Sequence, residues 1–500
     1  MSYFRISSFQ GWYSNDINAW QDGAFYKCKN IDHRKYIGYV TLSRQLQDGY
    51  TIDAASLGIP TTLTLWGNVG GWAVRDIVAL TSTWKIQWYS GTLATMADSA
   101  WNAIESNGKR YIAGSSKLWE VVGTFSSFTD LWTFTNSTNT RPMIDWFGDV
   151  IIWDGNSISR LNEGGTTLTK YTAGATNGTI WWLAGNVVSL TAIGTNIYVW
   201  CSDGSNTHLY YWDGSSSNPS QYIKYTDMSV ANVALLWNQH YWWTKKTDYG
   251  IRQMLVGESY QPQVYMKSDY PLYTLESNAD NDKNRMIINV TNSSYINAIE
   301  TMGEIVYLPW YGRIFTFGKY YPWTQYSFAN YCSFSGWEVT AMISGWMTTG
   351  GQDFGSVLGV CYRETTGNIY HISALNAGAN GSAPWPIYNA SGEIETIEYL
   401  ASADHSETND VKIVVPVELV NSACSIKVWE RRDAETSYTL LKTITTTDYG
   451  VWPKLVEIQS TNKWRRKQLK FELITTDTTY SPKLYVWVTN YYKEVWNLAN

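Results

Sequence analysis

The stretch KRYIAGSSKLWEVV, residues 109–122, contains the pattern on which most of the chain is built. Residues 109–113 and 117–122 are short segments rich in apolar and aromatic side chains, and Gly114-Ser115-Ser116 lies between them. Aromatic and β-branched residues fit the pleated surface of a strand, whereas Gly and Ser favour tight turns. The stretch therefore predicts a β-hairpin.

The same pattern returns along the chain, at intervals that are mostly roughly 40 to 50 residues, the length of a propeller blade. The other predicted hairpins pair residues 74–79 with 84–89, 149–153 with 157–161, 196–201 with 208–212, 239–244 with 250–256, 304–308 with 313–317, and 356–362 with 368–372. Such units bury their faces only by stacking radially, so the repeat predicts a β-propeller, with seven blades by the number of hairpins.

Composition agrees with an all-β chain. The 500 residues are 16% aromatic and only 16% charged, which disfavours long solvated helices and coiled coils. The net charge of −6 disfavours a surface that is basic overall and coats nucleic acid. The uncharged stretch 171–202 has Gly and Asn at turn spacing, so we expect buried strands there rather than a membrane span.

A second domain is predicted after a segment rich in Gly, Ala, Asn, Ser and Pro, residues 374–393. Beyond it, apolar residues alternate clearly, as in 412–420 and 467–475, and strands follow at intervals of roughly 8 to 15 residues. We therefore expect a β-propeller with an N-terminal strand segment over residues 1–393, and an antiparallel β-sandwich, immunoglobulin-like or jelly-roll-like, over residues 394–500.

The sequence predicts no catalytic residue, no metal site and no cofactor. Asp280-Asn281-Asp282 resembles the start of a calcium loop, but Arg285 and Thr291 stand where the EF-hand pattern needs Gly and Glu. The five histidines are scattered, and no nucleophile elbow or phosphate-binding loop occurs. The five cysteines are also far apart, which favours buried thiols over a disulfide or zinc framework.

Two groups of residues are candidates for contact with partners. The first is a basic strand that faces a neighbouring subunit, a phosphate group or only solvent; its residues are Lys463, Arg465, Arg466, Lys467 and Lys470. The second is a set of aromatic residues that either stack on a glycan or pack between blades: Trp212, Trp242 and Trp243.

Three stretches resemble virion propeller proteins of tailed bacteriophages. These are the opening KNIDHRKYIGYVTLS (29–43), the hairpin around 108–120, and the ending KQLKFEL (467–473) with SPKLY (481–485). The resemblance implies a non-enzymatic structural protein of the virion tail, at the nozzle or hub, assembled in the bacterial cytoplasm. It further implies a homo-oligomeric ring with other virion proteins as partners, and it leaves contact with packaged DNA open. The alternative is a propeller that binds a host-surface glycan or receptor. A glycosidase is disfavoured further, because residues 447–452, the string nearest to a sialidase-type Asp box, have the wrong spacing and do not repeat.

Overall fold

A computed structural model gives the fold of the chain. It describes residues 2–6, 25–33, 38–67, 75–83, 85–88, 93–95, 98–122, 127–134, 141–154, 158–163, 165, 168–171, 183, 186–193, 195–202, 207–213, 220–225, 231–237, 240–245, 251–255, 263–266, 298, 300–302, 305–310, 312–318, 327–349, 352–375, 387–400, 407–451 and 453–495. Residues 280–291, which depart from the calcium-loop pattern, lie outside these ranges.

Strands make up most of the described chain. The first five are β1 (Ser2–Ile6), β2 (Phe25–Lys29), β3 (Ile31–Asp32), β4 (Tyr39–Leu42) and β5 (Gln47–Asp53). Two short helices, Ala54–Leu57 and Thr446–Tyr449, accompany the strands.

The middle of the chain forms successive four-stranded antiparallel units, which are the blades of a β-propeller. Blade one is β6 (Pro60–Gly67), β7 (Arg75–Thr81), β8 (Lys85–Trp88) and β9 (Leu93–Thr95); blade two is β10 (Ala100–Ser106), β11 (Lys109–Gly114), β12 (Lys117–Val122) and β13 (Ser127–Thr133). Blade three is β14 (Met143–Trp146), β15 (Asp149–Trp153), β16 (Ile158–Leu161) and β17 (Leu168–Tyr171); blade four is β18 (Asn186–Ile193), β19 (Asn196–Ser202), β20 (Thr207–Trp212) and β21 (Ser220–Tyr225).

The later blades continue the series. Blade five is β22 (Ala231–Trp237), β23 (His240–Lys245), β24 (Ile251–Leu255) and β25 (Gln263–Met266); blade six is β26 (Glu300–Met302), β27 (Ile305–Trp310), β28 (Arg313–Gly318) and β29 (Ser327–Ser333). Blade seven is β30 (Gly336–Thr349), β31 (Gln352–Glu364) and β32 (Ile369–Leu375), with β5 as its fourth strand.

The prediction of an all-β propeller followed by a sandwich is confirmed. Every predicted hairpin is present as a pair of antiparallel strands, and each forms the second and third strands of a blade. The number of blades in the complete ring stays a prediction, because residues 267–297, between blades five and six, lie outside the described residues.

Neighbouring blades share their hydrophobic cores. On β6, Leu65 packs with blade seven while the adjacent Trp66 packs with blade two, because successive side chains of a strand point to opposite faces. The first strands of blades one to five contact one another in order, and β30 contacts both β26 and β6. Contact between β30 and β6 brings the last blade against the first.

The propeller is closed by strands from both ends of its sequence. Strand β5 pairs antiparallel with β32, and Ile52 of β5 is fully buried in the core between blades seven and one. The segments that lead into and out of the propeller lie side by side: the amide of Gln45 donates to the carbonyl of Ile387 at 2.8 Å, and the amide of Asn389 donates to the carbonyl of Ser43 at 3.0 Å.

The remaining strands form a two-sheet sandwich. They are β33 (Ser391–Thr396), β34 (Tyr399–Leu400), β35 (Glu407–Glu418), β36 (Cys424–Arg432), β37 (Thr439–Thr445), β38 (Lys454–Gln459), β39 (Lys463–Trp464), β40 (Arg466–Thr475), β41 (Lys483–Tyr485) and β42 (Val488–Val495). One sheet has the order β1-β42-β35-β41-β4-β3, with β38 and β39 also paired to β35. The other contains β2-β33-β40-β36-β37, with β34 on β40, and continues through β2 into β29 of blade six.

Strand pairing groups the residues differently from the predicted division at 393 and 394. Strands β1 to β4 belong to the sandwich sheets, and only β5 of the N-terminal strands belongs to the propeller. The sandwich core also includes Val306, Leu308 and Phe315 of blade six. Composition along the chain cannot show this, because hydrogen bonding joins residues more than 400 positions apart, such as Tyr3 and Tyr491.

A variant of Asn389 tests the contact between the segments that lead into and out of the propeller. Its side-chain amide donates to the carbonyl of Ser43 at 3.1 Å, to the hydroxyl of Ser43 at 3.0 Å and to the carbonyl of Arg44 at 3.0 Å. We expect Asn389→Ala to lower the free energy of unfolding by about 1–3 kcal/mol, because buried polar groups lose their partner. The midpoint of urea unfolding, followed by tryptophan fluorescence, measures the effect. The exposed Asn162→Ala is the control, and equal midpoints for the two variants would contradict the assignment.

Candidate interaction surface

An apolar groove lies on the outer face of the sandwich sheet that contains β35. Along β35, Ile413, Val415 and Val417 are buried, Ile413 and Val415 point into the sandwich core, and Val414 and Pro416 point away from it. The groove has a volume of about 930 Å³ and is lined mainly by apolar atoms. Its lining residues include Arg5, Val414, Pro416, Pro453, Lys454, Leu455, Tyr485, Val486, Trp487 and Tyr491, and together they are called the Trp487 groove below.

Two large apolar side chains of the groove are strongly exposed. Leu455 is 71% exposed and Trp487 is 63% exposed. Scattered apolar residues are ordinary on a protein surface, but a contiguous patch in a concave site is typical of a binding surface. The groove therefore provides a place where a partner can bury apolar area.

The backbone presents Trp487 in an uncommon conformation. Trp487 lies between β41 and β42 with φ of +75°, a left-handed geometry that is an outlier for a bulky side chain. Its amide donates to the carbonyl of Ile6 at 2.6 Å, and the amide of Val486 donates to the carbonyl of Gly38 at 3.0 Å. Neighbouring backbone thus fixes the strained residue, a combination that is common at functional sites.

The groove carries positive charge at its rim. Arg5 and Lys454 are exposed, and neither forms an ion pair with an acidic side chain among the described residues. The Nε of Arg5 donates to the hydroxyl of Thr489 at 3.3 Å, and its guanidinium lies 5.4 Å from the centre of the Tyr3 ring. An apolar floor between two cations suits a partner that combines apolar and acidic side chains.

The predicted basic strand has a different arrangement from the one expected. Trp464 and Lys467 are buried, whereas Lys463, Arg465 and Arg466 are exposed. The carboxylate of Asp433 accepts from the amides of Arg465 at 2.8 Å and Arg466 at 2.9 Å. The strand is interrupted at Arg465, between β39 and β40, so Lys467 does not share the exposed face of Lys463.

Lys467 is fully buried and belongs to a charged network inside the sandwich. Its ammonium pairs with the carboxylates of Asp410 and Glu430, both of which are fully buried as well. Asp410 also accepts from the indole of Trp464 at 2.8 Å and from the amide of Asn490 at 2.9 Å. Burial removes Lys467 from any surface that faces a phosphate group.

For the other basic residues of this strand, contact with a neighbouring subunit or a phosphate group stays a prediction. Three of them lie near glutamates: Lys463 is 3.9 Å from Glu407, Arg466 is 3.7 Å from Glu398, and Lys470 is 3.8 Å from Glu393. These exposed or half-buried pairs reduce the positive charge that the strand presents.

The three predicted aromatic residues do not form a described surface. Trp212 is fully buried in the core shared by blades three and four, so it packs between blades and cannot stack on a sugar. Trp242 and Trp243 belong to β23, and their side chains lie outside the described part of the chain. Neither Trp487 nor Leu455 was predicted from the sequence. A signal was available for Trp487, since Tyr485 and Trp487 alternate with Leu484, Val486 and Val488.

A second cavity lies among the first strands of the early blades. It has a volume of about 360 Å³ and is lined by Thr61, Trp101, Asn102, Arg141, Pro142, Met143, Val188, Ser189 and Leu190. Burial lowers the pKa of Arg141 to about 10, and Asp154 and Asp98 oppose that shift. Arg141 donates to the carbonyl of Ser115 at 2.9 Å and lies 4.0 Å from the Phe134 ring centre. These contacts hold the guanidinium within the blades.

No metal centre and no membrane-spanning helix occurs in the described residues. In that part of the chain, no group of three or more His, Cys, Asp or Glu side chains could hold a metal ion, and no helix is long and apolar enough to cross a membrane. All five cysteines are buried free thiols, and burial raises the pKa of Cys332 to about 12.

No protein-family model and no curated protein matches the sequence. Among solved structures, the chain is similar to the N-terminal domain of Nup159, with 8% identity and a TM-score of 0.40 over 66% of this chain and 95% of that one. It is also similar to BBS1N in complex with ARL6DN, with 13% identity and a TM-score of 0.42 over 66% and 97% of the two chains. A third likeness is to YCF48 bound to D1 peptide, with 8% identity and a TM-score of 0.40 over 65% and 96%. The fold assignment rests on the strand pairing described above.

The buried network predicts that substitutions of Lys467 and Lys463 change the free energy of unfolding by very different amounts. We expect Lys467→Ala to lower the free energy of unfolding by about 3–5 kcal/mol, because it leaves two carboxylates buried without their cation. Lys463→Ala is the matched control, and we expect a change within about 0.5 kcal/mol because that side chain is 66% exposed. Urea unfolding of both variants measures the difference, and similar losses would contradict the burial of Lys467.

We expect the buried carboxyl group of Glu300 to make the free energy of unfolding depend on pH. It lies on β26, its carboxylate accepts from the hydroxyl of Ser344 on β30 at 3.2 Å, and burial raises its pKa to about 7. Because the folded state holds this proton more tightly than the unfolded chain, this contribution to stability falls as pH rises from about 4.5 to about 7. We expect Glu300→Gln to raise the urea midpoint at pH 8 and to have a much smaller effect at pH 5. An equal effect at both pH values would show that Glu300 is ionised normally.

Proposed function

We propose that the protein is a non-enzymatic structural component of a tailed-bacteriophage particle, at the tail nozzle or hub, and that it contacts neighbouring virion subunits through the Trp487 groove. The observation that carries this proposal is the exposed, backbone-fixed Trp487 in an apolar groove. The resemblance of residues 29–43 and 467–485 to virion propeller proteins supports the same assignment. Assembly in the bacterial cytoplasm and residence in the virion tail belong to the proposal.

The proposal combines two physical features, a rigid scaffold and an exposed apolar groove. The shared cores between blades and the buried Asp410–Lys467–Glu430 network make the molecule a fixed scaffold. Burial of a side chain such as that of Leu455 is worth about 1.5–3 kcal/mol, so a partner that covers the groove gains free energy from its apolar atoms. Tryptophan is also among the residues that contribute most to binding at interfaces.

A propeller that binds a receptor or glycan is the second candidate function, and Trp487 favours it as well. An exposed indole beside two tyrosines can stack on a sugar ring as well as on a protein. The two functions differ in what the isolated protein does. A structural subunit forms rings or higher assemblies, whereas a lectin binds sugar as a free monomer.

Negative-stain microscopy of the purified protein, paired with a glycan array, tests the proposal. We expect ring-shaped assemblies from the wild-type protein and a loss of these assemblies in Trp487→Gly, in which glycine accepts the positive φ without strain. Tyr480→Ser is the matched control, because Tyr480 is 42% exposed and does not line the groove. A monodisperse wild-type monomer with strong glycan binding would overturn the structural role and support the second candidate.

A further inference from the structure

A second exposed aromatic residue occupies the tip of a blade hairpin. Phe147 connects β14 to β15, is 68% exposed and has φ of +54°, and Gly148 follows it with φ of +85°. The corresponding turn of blade two is Asn107-Gly108, with φ of +47° and +73°. Asn-Gly is the sequence that this turn prefers, whereas a left-handed conformation is unfavourable for an ordinary L-residue. The Phe147 ring has an edge contact with the ring of Trp146, with 5.4 Å between the ring centres, yet most of its surface stays exposed.

Acidic side chains flank Phe147. Asp145 and Glu163 are both exposed, and neither forms an ion pair with a basic side chain in the described ranges. Asp145 accepts from the hydroxyl of Ser106, and Glu163 accepts from the side-chain amide of Asn107. The hydrogen bonds place both carboxylates beside the tip and leave their charge uncompensated.

The tip and the Trp487 groove lie in different parts of the ring. The sandwich joins blade six, where Lys29 of β2 pairs with Asn330 of β29, and where the two share a hydrophobic core. Phe147 belongs to blade three. Blades four and five lie between blades three and six along the chain in one direction, and blades seven, one and two in the other. The hydrophobic cores of blade three contain no sandwich residue in the described part of the chain, so a contact between the tip and the groove would join two copies.

We infer that the Phe147 tip of one copy inserts into the Trp487 groove of the next copy, so that Asp145 and Glu163 face Arg5 and Lys454 across the contact. Such a contact joins two different surfaces, and it generates a closed ring when the rotation between copies closes. Complementary charges around an apolar centre set the register of the two copies. This inference rests on the proposed function, because it names the residues through which the subunits of a ring meet.

Disulfide trapping between two labelled populations tests the contact. Copies that carry Phe147→Cys are mixed with copies that carry Leu455→Cys, and all five native cysteines are buried. We expect oxidation to link the two populations to each other and neither to itself. The pair Tyr480→Cys with Leu455→Cys is the control, and we expect no product from it.

Phe147→Asn gives an independent test, because it installs the residue found at the matching turn of blade two. In dilute solution, where the copies are separate, we expect the thermal midpoint to rise, since strain is relieved. At higher concentration, we expect the association measured by analytical ultracentrifugation to weaken at least tenfold. Arg5→Glu should weaken association as well, and the added Glu163→Lys on the partner surface should restore it in part.

The outcomes separate this inference from the proposed function. Rings that persist in Phe147→Asn and give no Phe147–Leu455 cross-link would overturn the inference and leave the structural role intact. A wild-type protein that forms no assembly at any concentration tested would overturn both.

Discussion

Closure of the ring of blades depends on the pairing of β5 with β32. A β-propeller leaves only short, protected strand edges, and it buries the faces of its first and last blades only when those two blades meet. Here β5 gives blade seven its fourth strand, while β30 contacts β6 of blade one. The chain contributes strands β1 to β4 to the sandwich before β5, and strands β33 to β42 after β32. Strands from both ends of the chain therefore lie together in the sandwich.

Local features of the fold were readable from the sequence, and distant ones were not. Each hairpin, such as β11 with β12, is decided by a turn and two alternating segments within about 15 residues. The pairing of β1 with β42 depends on residues more than 480 positions apart, and alternation shows which face of a strand is buried without showing its neighbour. For this reason the propeller class was predictable, whereas the assignment of β1 to β4 to the sandwich was not.

Contacts between distant residues also decide where single side chains of the candidate sites point, and the sequence does not show those contacts. Strict alternation places Lys463, Arg465 and Lys467 on one face, but two hydrogen bonds to Asp433 interrupt the strand and turn Lys467 inward. Phe147 and Trp487 are unremarkable as letters in a sequence. What distinguishes them is a positive φ together with exposure, a combination that costs the isolated molecule stability.

We propose that the protein is a closed scaffold that assembles through the Trp487 groove. A cryo-electron microscopy map of the assembled wild-type protein, at a resolution that shows aromatic side chains, tests this proposal. We expect Trp487 to be covered by a neighbouring copy, with the Phe147 hairpin seated beside it. A map in which copies meet elsewhere and the groove faces solvent would contradict it.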